Sequence, residues 1–227
     1  MLTSIPQSML RAATDMMLAG LARAITGVRP IWDGCGPGQR QRIYFGNHSS
    51  HGDFILISAC LPPEERTRTS AAAGADYWTA GPVRRFIALK LLRTVLVDRS
   101  WVGRKSDPKS DPRSDPMTVM LEALAQGQSL IFFPEGTRNM TEQPLLRFRS
   151  GLFNLAAARP DVELVPCWIE NMSRVLPKGA VLPIPLLCRV IFGPPIALSQ
   201  GEDRKAFLTR ARDALLALSP PNNESHS

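Results

Sequence analysis

The pattern of apolar and polar positions predicts strands that alternate with helices along most of the chain. Short apolar runs that end at polar or glycine-containing turns indicate buried strands, at about 42–46, 68–73, 94–97, 129–133, 162–168 and 187–192. Apolar residues at three- and four-residue spacing indicate helices, at about 53–61, 81–92, 116–126, 150–158 and 202–218. This alternation is typical of an α/β fold, with a central, mostly parallel sheet that helices flank on both faces.

The first part of the chain, residues 4–28, predicts an additional helix with a broad apolar stripe. Arg11, Arg23 and Arg29 decorate or follow this stripe. Two interpretations stay open for it. The helix either packs on its own domain or lies in the interface of a membrane, where a basic amphipathic helix binds anionic lipid.

Proline- and glycine-rich segments divide the chain into three parts. Residues 1–30 form the amphipathic helix, residues 31–218 form a single α/β domain, and residues 219–227 are expected to be a disordered tail. Within the domain, a repeated Ser-Asp-Pro unit predicts a flexible loop at 104–116. No stretch reaches the roughly 18 to 20 apolar residues that a membrane span needs, and the N-terminus is not typical of a secretory signal.

Composition limits the partners that the protein can have. The chain of 227 residues carries 27 Lys and Arg against 20 Asp and Glu, a formal charge of +7, which favours anionic partners. Aromatic residues make up 7% and form no stripe with basic residues, so base stacking on nucleic acid is not indicated. The four cysteines are scattered, which argues against a zinc knuckle and favours a reducing, cytosolic compartment.

A polar turn between a predicted strand and a predicted helix carries two of the three histidines, His48 and His51, together with Asp53. An imidazole can accept a proton near neutral pH, and a carboxylate on its other nitrogen fixes the tautomer. Because such a turn can fold His48 back onto Asp53, the pair is a candidate general base with its orienting carboxylate. Two other interpretations remain open: Asp53 complements the helix N-terminus and His48 is a turn residue, or the three side chains bind a metal ion.

A second polar cluster, Glu135-Gly136-Thr137-Arg138, follows another predicted strand. Glycine allows close approach of the backbone, threonine offers a hydroxyl, and the guanidinium fork of arginine suits phosphate. Glu135 could hold Arg138 or a substrate hydroxyl in place, and Arg149 nearby adds to a possible anion site. The alternative is a surface turn with an ion pair.

Two more polar clusters, Asp98-Arg99 and Pro166-Cys167, also follow apolar runs. In an α/β sheet the carboxyl ends of parallel strands can converge on one cleft. We therefore expect the four clusters to lie together. Arg99 would then contact the same phosphate, or pair with Asp98 or Glu135.

Together these clusters carry a family resemblance that extends over about residues 40–200. The glycerolipid acyltransferases have four motif blocks in sequence, and the 1-acylglycerol-3-phosphate (lysophosphatidate) acyltransferases are the members that this chain resembles most. The matching segments, in order, are His48 with Asp53, Asp98-Arg99, Phe133-Pro134-Glu135-Gly136-Thr137-Arg138, and Val165-Pro166-Cys167. The resemblance implies a single acyltransferase domain of the α/β class.

The resemblance also implies a mechanism. His48 is the general base that activates the hydroxyl of a lysophospholipid acceptor, and Asp53 orients it. The hydroxyl attacks the thioester of acyl-CoA or acyl-carrier protein directly, without an acyl-enzyme, cofactor or metal. The implied substrate-binding residues are Arg99, Glu135, Gly136, Thr137 and Arg138 for the acceptor, and Pro166 on the acyl-donor side.

The implied location is the cytoplasmic face of a membrane, where the protein would be peripherally associated and would bind no nucleic acid. One departure from the family concerns a lysine that many members carry in an Ala-Lys-x-Glu-Leu segment. The corresponding residues 72–78 contain no lysine, so Lys90, Arg84 or a backbone amide would have to stabilise an oxyanion instead. Two further classes remain as alternatives: a metal-dependent hydrolase built on the histidine turn, and a non-catalytic protein that binds anionic lipid.

Overall fold

The apolar runs form the strands of a sheet, and the amphipathic segments form helices that cover it. A computed structural model describes residues 7–50, 52–74, 95–97, 115–170 and 187–220. The helices are α1 (Gln7–Thr26), α2 (Asp53–Cys60), α3 (Pro63–Thr67), α4 (Pro116–Ala125), α5 (Gly151–Ala158) and α6 (Arg204–Leu216). The strands are β1 (Arg29–Trp32), β2 (Arg42–Gly46), β3 (Thr69–Gly74), β4 (Val95–Val97), β5 (Ser129–Phe132), β6 (Glu163–Glu170) and β7 (Arg189–Phe192). The helix predicted at 81–92, most of the loop at 104–116 and most of the tail at 219–227 lie outside the described residues.

Within the described residues, seven strands form one sheet in the order β1-β7-β6-β2-β5-β3-β4. Five neighbouring strands, β6, β2, β5, β3 and β4, run parallel to one another. Strand β7 is antiparallel to β6, and β1 is parallel to β7. The predicted mostly parallel sheet is therefore confirmed. The chain leaves β2 towards β3 and leaves the adjacent β5 towards β6, in opposite directions. The two connections cross on opposite faces of the sheet, with α2 on one and α5 on the other, and such a switch opens a crevice between the two strands at their carboxyl ends.

Both faces of the sheet are covered, as the continuous apolar character of β2 predicts. Successive side chains of a strand point to opposite faces, so Tyr44 packs with α1 and α2 on one face. Ile43 and Phe45 pack with α4, α5 and α6 on the other. The sheet thus lies between two helical layers.

Two helices, α4 and α6, each begin after an aspartate whose side chain caps the helix N-terminus. The carboxylate of Asp115 accepts hydrogen bonds from the backbone N–H groups of Met117 and Thr118, at 3.4 and 3.1 Å, and starts α4. Asp203 caps α6 in the same way, accepting from Lys205 and Ala206 at 2.7 and 3.1 Å. Such caps satisfy N–H groups that have no partner within the helix.

Two short elements were not anticipated by the sequence pattern. Strand β1 pairs with β7, and its Trp32 ring stacks on Phe192 with a centroid separation of 4.1 Å. Helix α3 begins at Pro63, and Pro62 directly before it is the N-cap residue. Proline at the first helical position is compatible with a helix because its missing N–H would have no partner there.

The strand predicted at 162–168 is present as β6, but the interpretation of Pro166-Cys167 as a cluster that follows a strand end is wrong. Strand β6 continues to Glu170, so Pro166 lies within the strand, opposite Phe45 of β2. The N–H and C=O groups of one residue point to the same side of a strand, and Pro166 points them to the side of β7. Since β7 has already ended there, no strand residue requires the N–H that proline lacks. The Pro166 carbonyl accepts a hydrogen bond from the N–H of Gly193 at 2.9 Å.

Helix α1 packs on its own domain along one side. Ala19 is buried in the core that α1 shares with α2, and the Arg23 Nε donates to the Ala59 carbonyl at 2.9 Å. The other side is apolar and exposed, at Met16, Met17, Leu21 and Ile25. Within the described part of the chain, no helix combines the length and hydropathy needed to cross a bilayer.

Candidate active site

The turn after β2 brings the imidazole of His48 onto the carboxylate of Asp53. The His48 Nδ1 and the Asp53 Oδ2 are 2.9 Å apart, and Asp53 is the first residue of α2. His48 is 7% exposed and Asp53 is 0% exposed. The sequence interpretation of this pair as a base with an orienting carboxylate is therefore geometrically feasible.

The Asp53 carboxylate is held in one orientation by the turn itself. Its Oδ2 also accepts hydrogen bonds from the backbone N–H groups of Ser49 and Ser50, at 2.7 and 2.8 Å. An ionised carboxylate only accepts hydrogen bonds, so the Nδ1 of His48 carries the proton in this contact. The Nε2 is then the nitrogen that can accept a proton from a substrate.

The loop after β5 holds the backbone of His48 from both sides. The His48 N–H donates to the Glu135 Oε1 at 2.8 Å, and its carbonyl accepts from the N–H of Asn139 at 2.6 Å. The Phe133 ring stacks on the imidazole, with centroids 4.2 Å apart and planes inclined by 14°. The histidine turn and the loop that carries Glu135 therefore form one structural unit, which fixes both the ring plane and the backbone of His48.

Glu135 is a buried carboxylate whose two oxygens both accept backbone hydrogen bonds. Oε1 accepts from His48, and Oε2 accepts from the N–H of Leu146 at 2.9 Å. Burial raises the pKa of Glu135 above its ordinary value of 4.5, and the two backbone N–H groups and His48 partly oppose this shift. In this geometry the carboxylate links the histidine turn to the segment before α5. A role in substrate binding, expected from the sequence, stays a prediction.

This burial predicts a pH dependence of stability. Above pH 4.5 the unfolded chain has released the Glu135 proton while the folded protein still holds it, until the pH passes the raised pKa. The free energy of unfolding should therefore fall as the pH rises through this window. Glu135→Gln cannot titrate, so its unfolding free energy should fall less steeply. Chemical denaturation of both proteins between about pH 4 and 7 measures the difference, and parallel profiles would contradict it.

The turn at Gly136 favours a glycine because its φ of +69° lies in the left-handed region. A Cβ atom there would lie 2.7 Å from the Cδ of Arg149, so the flexible side chain of Arg149 would have to shift. The Gly136 N–H donates to the Phe133 carbonyl at 3.1 Å, and the Arg149 N–H donates to the Pro134 carbonyl at 2.8 Å. The side chain of Arg149 thus lies over the motif turn.

The other predicted site residues differ in their exposure. Thr137 is exposed and Arg138 is half-buried. Among the described residues, the Arg138 guanidinium has no hydrogen-bond or ion-pair partner, so it is available to an anion. Pro166 is buried within β6, and Arg99 lies outside the described residues.

An open cleft of about 390 Å³ lies at the carboxyl edge of the sheet, beside His48. Its wall includes groups that the sequence reasoning missed. These lining residues are Asn47, Asn139, Trp168, Glu170 and Arg189. They come from the ends of β2 and β6, the start of β7 and the loop after β5, so only the strand order brings them together.

Asn47 shows how the cleft wall is built. Its side-chain oxygen accepts from the N–H of Ile169 at 2.7 Å, and its amide nitrogen donates to the Ile169 carbonyl at 3.0 Å. The amide thus continues the pairing of β2 with β6 for one more residue. The asparagine directly before His48 was the sequence signal for this contact, because its side-chain amide can form the hydrogen bonds that a backbone peptide group would form.

The metal-site interpretation of the histidine turn gains no support from the geometry. Among the described residues, no group of three or more His, Cys, Asp and Glu side chains could hold a metal ion. His51 lies outside those residues.

Comparison with known proteins agrees with the motifs and the fold. A protein-family model described as Acyltransferase matches residues 32–170, more than half of the chain. The structure is similar to the crystal structure of the 1-acyl-sn-glycerophosphate (LPA) acyltransferase PlsC from Thermotoga maritima, with a TM-score of 0.70 and 16% sequence identity. This likeness covers 97% of the present chain and 83% of the Thermotoga chain, and it shows a shared fold. No curated protein matches the chain by sequence. The family match places the chain in the acyltransferase family.

Proposed function

We propose that the protein is an O-acyltransferase that esterifies the free hydroxyl of a lysophospholipid such as 1-acylglycerol-3-phosphate. The acyl donor is a thioester, either acyl-CoA or acyl-carrier protein. The observation that carries this proposal is His48 at the wall of an open cleft, with its Nδ1 2.9 Å from the buried Asp53 carboxylate, in a chain of the acyltransferase family. The Thermotoga protein with the similar fold is a 1-acyl-sn-glycerophosphate acyltransferase.

The reaction follows from the tautomer of His48. Its Nε2 removes the proton of the acceptor hydroxyl as the oxygen attacks the thioester carbonyl carbon. The tetrahedral intermediate then collapses, the carbon–sulfur bond breaks, and the thiolate receives the proton from the imidazolium. The products are an ester and a free thiol. Asp53 stabilises the imidazolium while it exists.

Direct attack, without an acyl-enzyme, is favoured by the surroundings of the imidazole. Among the described residues, the one hydrogen bond of the His48 ring is with Asp53. An acyl-enzyme mechanism would place a serine, threonine or cysteine side chain against the base. The base is therefore available to the hydroxyl of the acceptor.

The reaction and its substrates can be tested together. Purified protein is incubated with acyl-CoA or acyl-carrier protein and a panel of lysolipids, and the products are identified by mass spectrometry. We expect a new ester of a phosphate-bearing lysolipid. Hydrolysis of the thioester without ester formation, or binding of anionic lipid without turnover, would contradict the proposal.

Arg138 is proposed to bind the phosphate of the acceptor, since its guanidinium has no partner among the described residues and lies beside the motif turn. We expect Arg138→Ala to raise the KM for a phosphate-bearing lysolipid roughly 10- to 100-fold, because a hydrogen bond to a charged group is lost. The KM for a monoacylglycerol without phosphate should change little. Arg204→Ala, at an exposed arginine on α6, is the matched control. Equal losses with both acceptors would argue against this role.

We also propose that the exposed apolar side of α1 lies in the interface of a membrane, on its cytoplasmic face. The net charge of +7 supports attraction to anionic lipid. Replacing Met17 and Leu21 by Glu should reduce co-sedimentation with anionic liposomes. The control introduces the same charges at the same spacing on the other face of the sheet, at Asn154 and Ala158 of α5. Unchanged sedimentation of the α1 variant would refute the proposal.

A further inference from the structure

An ion pair with a buried carboxylate and an exposed guanidinium lies in the cleft wall, across the antiparallel strands β6 and β7. Glu170 and Arg189 are cross-strand neighbours, and the Arg189 Nε donates to the Glu170 Oε2. The Glu170 side chain is 6% exposed, whereas that of Arg189 is 51% exposed. The pair is therefore fixed at its carboxylate end and open to the cleft at its guanidinium end.

Arg189 is a cation placed in the same cleft as the proposed base. Among the described residues that line this cleft, Arg189 is the one lysine or arginine, and His48 lies in the same wall. Arg138 does not belong to that lining. A phosphate that enters the cleft would thus meet the guanidinium of Arg189.

The geometry of the pair leaves the guanidinium with unused donors. Its Nε is engaged by Glu170, and within the described part of the chain its two terminal nitrogens have no partner. Glu170 has no second partner either, because its buried Oε1 accepts no hydrogen bond from the described residues. Among the described residues the carboxylate therefore contacts Arg189 alone and anchors its Nε, and the two terminal nitrogens are left as donors that suit the oxygens of a phosphate.

We propose that Arg189, oriented by Glu170, binds a phosphate group of a substrate in the His48 cleft. This inference rests on the proposed acyl transfer. The phosphate belongs either to the acceptor or to the phosphopantetheine arm of the thioester donor. Since Glu170 neutralises the charge of Arg189, the contribution comes from directed hydrogen bonds.

The test is a comparison of Arg189→Lys and Arg189→Ala with the wild type in acyl transfer. Arg189→Lys keeps a cation beside Glu170 and removes the fork, so it remains informative if Arg189→Ala does not fold. We expect the KM of one substrate to rise roughly 10- to 100-fold in Arg189→Lys, with a smaller change in kcat. A rise confined to a phosphate-bearing lysolipid assigns the acceptor phosphate. A rise confined to the thioester donor assigns the phosphopantetheine phosphate.

The matched control is Arg210→Ala, because Arg210 forms a similar ion pair with Glu202 on the outside of α6. It should leave both KM values unchanged. Wild-type KM values in folded Arg189→Lys would overturn the inference while leaving the acyl transfer intact. Calorimetric titration of lysophosphatidate and of acyl-CoA into His48→Ala, with and without Arg189→Lys, provides a readout without turnover. If the wild type transfers no acyl group, these titrations still decide the inference: weaker binding of either ligand supports it, and equal binding of both overturns it.

Discussion

His48→Ala should lower kcat for acyl transfer by roughly 10² to 10⁴, the range expected when a general base is removed. The hydroxyl of the acceptor must lose its proton as it attacks, and among the described residues that line the cleft His48 is the one imidazole. The KM values should change less, because the imidazole is proposed to act on the proton rather than to bind the phosphate. Steady-state kinetics with purified protein measures both parameters.

His51→Ala is the matched control for this prediction, since it removes a second imidazole three positions further along the chain. Direct general-base chemistry predicts that His51→Ala keeps most of the activity. A metal-dependent hydrolase would lose activity with either substitution and with a chelator. Circular dichroism and thermal denaturation of both variants separate a loss of chemistry from a loss of folding, because His48 stacks on Phe133 and contributes to packing.

Asp53→Asn should lower kcat by a similar factor, roughly 10² to 10⁴, while the protein stays folded. The carboxylate fixes the Nδ1–H tautomer of His48 and stabilises the imidazolium that forms during attack. An amide in its place can accept from the backbone of Ser49 and Ser50, but it carries no charge. The loss should therefore appear in kcat more than in the KM of either substrate.

The control for the charge change is Asp161→Asn, at an exposed carboxylate that pairs with Arg159 far from the cleft. It should retain wild-type kinetics. If folded Asp53→Asn also retains its kcat, the carboxylate has only a structural role at the start of α2. In that case the interpretation of Asp53 as a helix N-terminal residue would be the correct one.

The sequence could predict the parts of the site that lie close together along the chain. The strand β2, the histidine turn and α2 follow one another directly, so the contact between His48 and Asp53 depends on local geometry. The glycine at position 136 also indicated close approach of the backbone after a buried strand, and the structure adds its left-handed φ of +69°. These elements are determined mainly by neighbours a few residues away.

The parts that could not be predicted depend on strand order. Glu135 bonds the backbone of His48 because β5 lies beside β2, although the two residues are 87 positions apart. Glu170 and Arg189 meet because β7 runs antiparallel to β6, against the direction of the other central strands. Strand β1 forms because β7 offers it an edge, and a four-residue segment with little periodicity gives no signal of that.

Formation of phosphatidate from lysophosphatidate and an isotopically labelled acyl thioester tests the central claim most directly. We predict that the wild type transfers the labelled acyl group to the free hydroxyl, with one thiol released for each ester formed. His48→Ala should form the ester at least 10²-fold more slowly. Equal ester formation by folded His48→Ala, or thiol release by the wild type without any ester, would contradict the account.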